Sequence, residues 1–155
     1  MTVRRAHSAD IPALLRLLGQ VLAVHHAGRP DLFRPGTTKY TQKELLGILA
    51  DENSPIFVAE EREVLGYAFC ILKEIKDHPL FQDNKSLYID DLCVEEGCRG
   101  QGVGKKLLAF ATDYAKALGC DSITLNVWAL NENALKFYTA AGMLPQKYGM
   151  ELRLK

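Results

Sequence analysis

An apolar run, Leu87 to Val94, gives way to Cys98-Arg99-Gly100-Gln101-Gly102-Val103-Gly104-Lys105-Lys106, and then to a helical pattern with Leu107, Leu108, Ala111, Ala115 and Leu118 on one side. This succession of strand, glycine turn and amphipathic helix is the strongest constraint on the fold. Glycines on alternate positions leave the backbone bare where a helix begins. The first N–H groups of that helix lack an intrahelical partner, and the helix dipole adds partial positive charge there. Such a turn suits a phosphate or pyrophosphate. A nucleoside-triphosphate loop requires Gly, four residues, then Gly-Lys-Ser/Thr. Here position 99 is Arg and Lys106 stands where the hydroxyl belongs, so that reading fails twice. A dinucleotide turn requires Gly-x-Gly-x-x-Gly, and counting from Gly100 its third glycine falls on Lys105.

The rest of the chain alternates helical and strand periodicity. Val3 to Ala6 reads as a first strand. Ser8-Ala9-Asp10 starts a helix that accommodates Pro12 in its first turn and runs to about His25. Ala27 to Tyr40, with two glycines and two prolines, reads as a loop. Thr41-Gln42-Lys43-Glu44 matches a capping box, which predicts a second helix ending near Asp51. Ile56 to Glu60 and Val64 to Ile75 read as strands joined by a polar turn, and Lys76 to Lys85 as a loop. After the glycine turn the helix stops at Gly119. Ser122 to Trp128 then reads as a strand, Asn131 to Ala141 as a helix, and the alternation Met150-Glu151-Leu152-Arg153-Leu154 as a last strand. The order is β-α-α-β-β-β-α-β-α-β, a further terminal strand being optional. It predicts one α/β (α+β mixed) domain over residues 1–155, a mostly antiparallel mixed sheet flanked by helices.

Composition narrows the function. Nineteen basic residues balance nineteen acidic ones with no long basic run, which gives no support to nucleic-acid binding. No apolar run approaches membrane-spanning length, and Met1 to Asp10 lacks the apolar stretch of a secretory signal. The four cysteines, Cys70, Cys93, Cys98 and Cys120, form no metal-binding spacing with one another or with histidine. Cys70 and Cys93, in apolar strand-like runs, read as reduced core thiols, Cys98 lies beside the glycine turn with no activating group in its sequence surroundings, and the expected setting is cytoplasmic.

A second motif complements the glycine turn. Ile123-x-Leu125-x-Val127 is followed by Asn131-x-x-Ala134-x-x-Phe137-Tyr138-x-x-x-Gly142-Met143. With Arg99-x-x-Gly102-x-Gly104 after Leu92-Cys93-Val94, this resembles the GCN5-related N-acetyltransferase (GNAT) superfamily over residues 87–143. Met143 replaces the commoner Phe of that segment. The element order is also that family's. The resemblance implies a fold built on a split sheet and acetyl-CoA as co-substrate, with no metal. By that resemblance the backbone of Arg99, Gly100, Gln101, Gly102, Val103, Gly104 and Lys105 holds the pyrophosphate. Leu92, Cys93 and Val94 pair with the pantetheine arm, Asn131 touches it, and Tyr138 is the acid that protonates the departing thiolate.

The acceptor side rests on acid placement. An amine is mostly protonated at neutral pH and needs a base before it attacks. Tyr88-Ile89-Asp90-Asp91-Leu92 puts two acids in mid-strand, where Asp is disfavoured. Strand alternation lets only one of the pair face the acetyl group. The segment resembles the acidic strand of polyamine and aminoglycoside 6′-N-acetyltransferases, with Asp90 at the position of their acid. Asp90 is therefore the candidate base, directly or through water. Asp91, His25 and His26 are candidate substrate contacts, while Trp128, Tyr40 and Tyr67 read as packing residues. The expected activity is acetyl transfer to a primary amine, of a small cationic molecule or alternatively of a protein lysine or N-terminus. A non-catalytic acyl-CoA-binding module is the alternative of another class. A homodimer through the last strand is expected by family analogy.

Overall fold

The computed structural model describes all residues, 1–155. A five-stranded sheet runs in the order β1 (Thr2–Arg5), β2 (Ile56–Glu60), β3 (Val64–Ile75), β4 (Asn84–Val94) and β5 (Ser122–Leu125). The first four strands are antiparallel in succession, and β5 lies parallel to β4. That last pairing follows from the connection: β4 reaches β5 through a helix, α3 (Val103–Ala117), and a crossover of this kind returns the chain in the same direction.

Helices cover both faces. On one, α1 (Ile11–Gly28) and α2 (Gln42–Ala50) bury Leu14, Leu17, Leu18 and Leu45 against Val58, Tyr67 and Phe69. On the other, α3 buries Leu107, Leu108 and Ala111 against Ala68, Cys70, Leu87 and Ile89. Phe137 and Tyr138 of α4 (Glu132–Ala140) pack beside them. The mixed, mostly antiparallel sheet between helical layers is the expected fold.

Helix starts follow the capping chemistry with one difference. Thr41 accepts the Glu44 N–H at 3.2 Å, and Asn131 accepts the Ala134 N–H at 3.1 Å. At α1, Ser8–Asp10 forms a 3-10 turn and Asp10 makes no side-chain cap on the helix it precedes. Its carboxylate is drawn instead to the Arg4 guanidinium by two bonds of 2.8 and 2.9 Å, and it accepts the His7 N–H at 2.8 Å. The helix also continues past His25 to Gly28.

The expected last strand does not form. Residues 143–155 are in neither helix nor strand, and β5 stops at Leu125 rather than Trp128. Alternation specifies two faces of a strand but supplies no partner, and the short β5 offers none to the tail. The tail is tethered by its polar side instead. Arg29 reaches Glu151 at 2.9 Å, and Arg153 reaches Asp31 at 3.5 Å. Its apolar side is bare: Leu144, Tyr148, Met150, Leu152 and Leu154 are between 80% and 90% exposed. The observed order therefore ends at α4.

Candidate active site

The ladder between β3 and β4 is irregular at one point. Phe69 pairs with Asp91 and Cys70 with Ile89, so Asp90 has no partner and is the extra residue of a β-bulge. An extra residue shifts the in-out alternation by one. Before the bulge, Leu87 and Ile89 pack in the α3 core. After it, Leu92 and Val94 do, and Cys93 turns to the α1 core. The bulge overturns the expectation that only one of the two acids faces the site. Asp90 accepts Tyr40 Oη at 3.1 Å and Lys39 Nζ at 2.7 Å, while Asp91 accepts Tyr67 Oη at 2.9 Å. Asp90 and Asp91 both line one cavity.

That cavity has a volume of about 750 Å³ and lies where the sheet splits. The β4–β5 pairing ends at Ile89 and Leu125. Beyond it Leu92, Cys93 and Val94 form one wall and Asn126 to Trp128 another. Backbone groups facing the split have no strand partner on that side, the condition an inserted extended ligand exploits. The floor is the glycine turn. Gly100 and Gly102 adopt φ of +76° and +82°, which only glycine takes without cost, and nothing lies within 4 Å of where their Cβ atoms would be. Gly104 is bare for a different reason: a Cβ there would stand 3.3 Å from the Phe137 ring. The turn bearing the free helix N–H groups thus abuts the helix bearing Tyr138.

Tyr138 lines the cavity, and its phenol is held well above the ordinary range by burial and then by the Asp91 charge. It therefore stays protonated at neutral pH. Burial pushes Asp91 up to about 6, against the Tyr67 hydrogen bond and the Lys39 charge, which both favour its ionised form. The Cys93 thiol is pushed up to about 12 by burial, and its Sγ donates to Leu17 O at 3.7 Å, so it is an inert wall.

Most of the residues expected from sequence converge here. Asp90, Asp91, Leu92, Cys93, Val94, Arg99, Gly100, Gly102, Val103, Gly104, Lys105, Asn131, Tyr138 and His25 all line the cavity. Gln101 and His26 do not. Gln101 Nε2 turns back to Gly97 O at 3.2 Å, and His26 Nδ1 bonds Phe33 O at 2.7 Å. Lys106 is directed toward Met1 O, 3.5 Å away.

Sequence reading missed Lys39, Tyr40 and Tyr67 as polar partners of the acids, and Trp128 as a cavity wall. Tyr67 is buried in the core, which fits a packing residue, yet its hydroxyl is spent on Asp91. Trp128 lines the cavity beside His25 and Phe33, at ring distances of 6.4 and 5.3 Å. A buried Tyr needs a partner for its hydroxyl, and that rule was the available signal for Tyr67. No group of three or more His, Cys, Asp and Glu side chains is arranged to hold a metal ion. No helix is long and apolar enough to cross a membrane.

Comparison with known proteins adds identity to this geometry. The acetyltransferase (GNAT) family matches residues 22–143. The putative phosphinothricin acetyltransferase YwnH of Bacillus subtilis is 26% identical over 146 residues, covering 92% of this chain and 83% of that one. A crystal structure of a mutant BH1408 protein from Bacillus halodurans superposes with a TM-score of 0.96 at 32% identity, covering all of both chains. An aminoglycoside N-acetyltransferase in complex with CoA shares the fold, with a TM-score of 0.70 at 16% identity and 99% of each chain covered. The split sheet, the glycine turn and these likenesses agree: the chain belongs to the GNAT family of acetyltransferases.

Proposed function

We propose that this enzyme transfers the acetyl group of acetyl-CoA to the primary amine of a small molecule. The carrying observation is that one cavity is lined by the glycine turn, Tyr138 and the two aspartates, Asp90 and Asp91. The residues fit acetyl-CoA. Open space stands over Gly100 and Gly102 beside free helix N–H groups, and the split between β4 and β5 leaves backbone groups for the pantetheine amides. Acetyl-CoA supplies an activated thioester. The chain's own residues do the rest. The turn from Arg99 to Lys105 holds the pyrophosphate, Leu92 to Val94 and Asn131 orient the arm, and Tyr138 holds the proton destined for the sulfur.

Asp90, the base expected from sequence, already accepts two donors on Oδ2. Asp91 is the better proton acceptor in this reading. Its value of about 6 leaves it mostly ionised at neutral pH yet basic enough to take a proton from the amine or a bridging water. A small acceptor is favoured by the concave site and by relatives named for phosphinothricin and aminoglycosides. The four unbridged cysteines favour a reducing, cytoplasmic setting.

Thiol release from acetyl-CoA across a panel of amines tests the reading. Tyr138→Phe is expected to lower single-turnover rates by about 10² or more while CoA still binds. An unchanged chemical step removes Tyr138 from the acid's role.

We also propose a homodimer through the tail. The tail's polar side faces its own chain through Glu151 and Arg153, and its apolar row points outward. An apolar row of this length needs cover, and the same row on a second copy provides it isologously. Sedimentation is expected to show a dimer that Leu152→Glu with Leu154→Glu converts to a monomer.

A further inference from the structure

The ion pair between Lys39 and Asp90 joins a residue that lines the cavity, Asp90, to one outside its lining, Lys39, and takes no part in the chemistry described above. Lys39 belongs to the segment before α2, and Asp90 is the bulge residue of β4. Their side chains are 44% and 19% exposed, so the pair is reachable from solvent. Asp90 lines the cavity, and the Lys39 charge reaches two further lining residues: it adds to burial in lowering His25, and it favours the ionised form of Asp91 against burial. Lys39 Nζ and Tyr40 Oη both bond Asp90 Oδ2, while Oδ1 accepts no hydrogen bond. A carboxylate has room for further donors on its second oxygen.

We propose that the Lys39–Asp90 pair selects acceptors of the α-amino-acid class, with Asp90 Oδ1 receiving the amine and Lys39 Nζ receiving the carboxylate. This deepens, and for the reaction rests on, the acetyltransfer reading above.

Charge matching decides among acceptor classes. A polyamine brings further positive charge toward Lys39, which repels it. A simple amine gains Asp90 but offers Lys39 nothing. An amino acid meets both charges at once. Its ammonium docks on the free oxygen without breaking the existing pair, and its carboxylate finds the ammonium beside it. Both charges of the pair are answered, and the wrong classes leave one of them unanswered or face it with a like charge, which is how specificity arises from complementarity. Tyr40 donates to the same Asp90 oxygen as Lys39 and helps fix the carboxylate, its ring stacked on Phe69 at 5.7 Å.

The test compares the standard α-amino acids with their carboxamides, which keep the amine and lose the carboxylate charge. Binding is measured by calorimetry with CoA present, and acetylation is measured separately by thiol release. Wild-type protein is expected to prefer the acid over its amide by about tenfold or more in Kd and in kcat/KM, Lys39→Met to bring that ratio near one, and Lys39→Arg to restore it. A ratio near one in the wild type, or one that Lys39→Met leaves intact, overturns the proposal. Carboxylate-dependent binding without acetylation of any amine upholds it and sinks the acetyltransfer reading instead.

Discussion

Tyr67 donates its hydroxyl to Asp91 across 2.9 Å, from a position diagonal to it in the β3–β4 ladder, where Tyr67 itself pairs with Cys93. The bond stabilises the charged carboxylate in a site where burial opposes it. Tyr67→Phe keeps the ring and removes the donor, so the Asp91 value rises above about 6. If Asp91 accepts the amine's proton, the acidic limb of the kcat/KM profile moves to higher pH, and activity at pH 6 falls more than at pH 8. An unmoved limb separates Asp91 from the base's role.

Asp91 also sets a cost in stability. Its folded value of about 6 lies above the ordinary 3.8. Between those values the folded chain holds a proton that the unfolded chain has released, so stability declines as pH rises through this window. The loss is complete above it, on the order of 2–3 kcal/mol. Asp91→Asn retains an oxygen for Tyr67 and removes the charge. Thermal unfolding is expected to show a higher Tm than wild type at pH 7, a gain that vanishes below pH 4, and the acetylation rate is expected to collapse.

Gly102 sits in the left-handed region with open space around it. Gly102→Ala therefore meets no clash and incurs only backbone strain, roughly 1–2 kcal/mol. The strain falls on the turn that presents the helix N–H groups. The expected result is a rise of about tenfold in KM for acetyl-CoA, with a smaller change in KM for the amine. Equal changes in both would place the turn outside donor binding.

The pair that joins β1 to the start of α1 carries stability rather than chemistry. Asp10 is 5% exposed and its carboxylate is held below the ordinary range, first by Arg4 and then, against burial, by the His7 N–H. Arg4→Ala leaves that charge buried without its cation, at a cost of about 3 kcal/mol in urea unfolding at pH 7. Because Asp10 is depressed when folded, the pair's contribution is present above 3.8 and fades as pH falls through the folded value. The gap between wild type and Arg4→Ala is expected to narrow in acid. Adding Asp10→Asn to Arg4→Ala is expected to recover most of the loss at pH 7.

Much of the fold was legible because each signal was local. The glycine turn, the Thr41 and Asn131 caps, and the apolar faces of α1 and α3 depend on residues a few positions apart. The donor half of the site was legible for the same reason: it draws on two short segments, Leu92 to Lys105 and Asn131 to Tyr138, each with its own local pattern. The acceptor half was not. It joins Lys39 and Tyr40 to Asp90, and Tyr67 to Asp91, across 51, 50 and 24 residues respectively. The bulge itself leaves no mark in a single sequence, because an extra residue in one strand is defined only against its partner. The tail misled for the same reason: a strand's alternation was present without a strand to pair with.

Asp90 is an addition to the ladder rather than a rung of it. Ile89 and Asp91 hold their registers against Cys70 and Phe69 on either side, so a chain one residue shorter at this point would close into regular pairing with every other strand residue on its present face. The sheet does not require Asp90. Such a chain is expected to fold, and to do so with a smoother β4, while losing the carboxylate that Lys39 and Tyr40 hold. Deletion and insertion, more than substitution, are then the changes by which this strand gains or gives up its second acid.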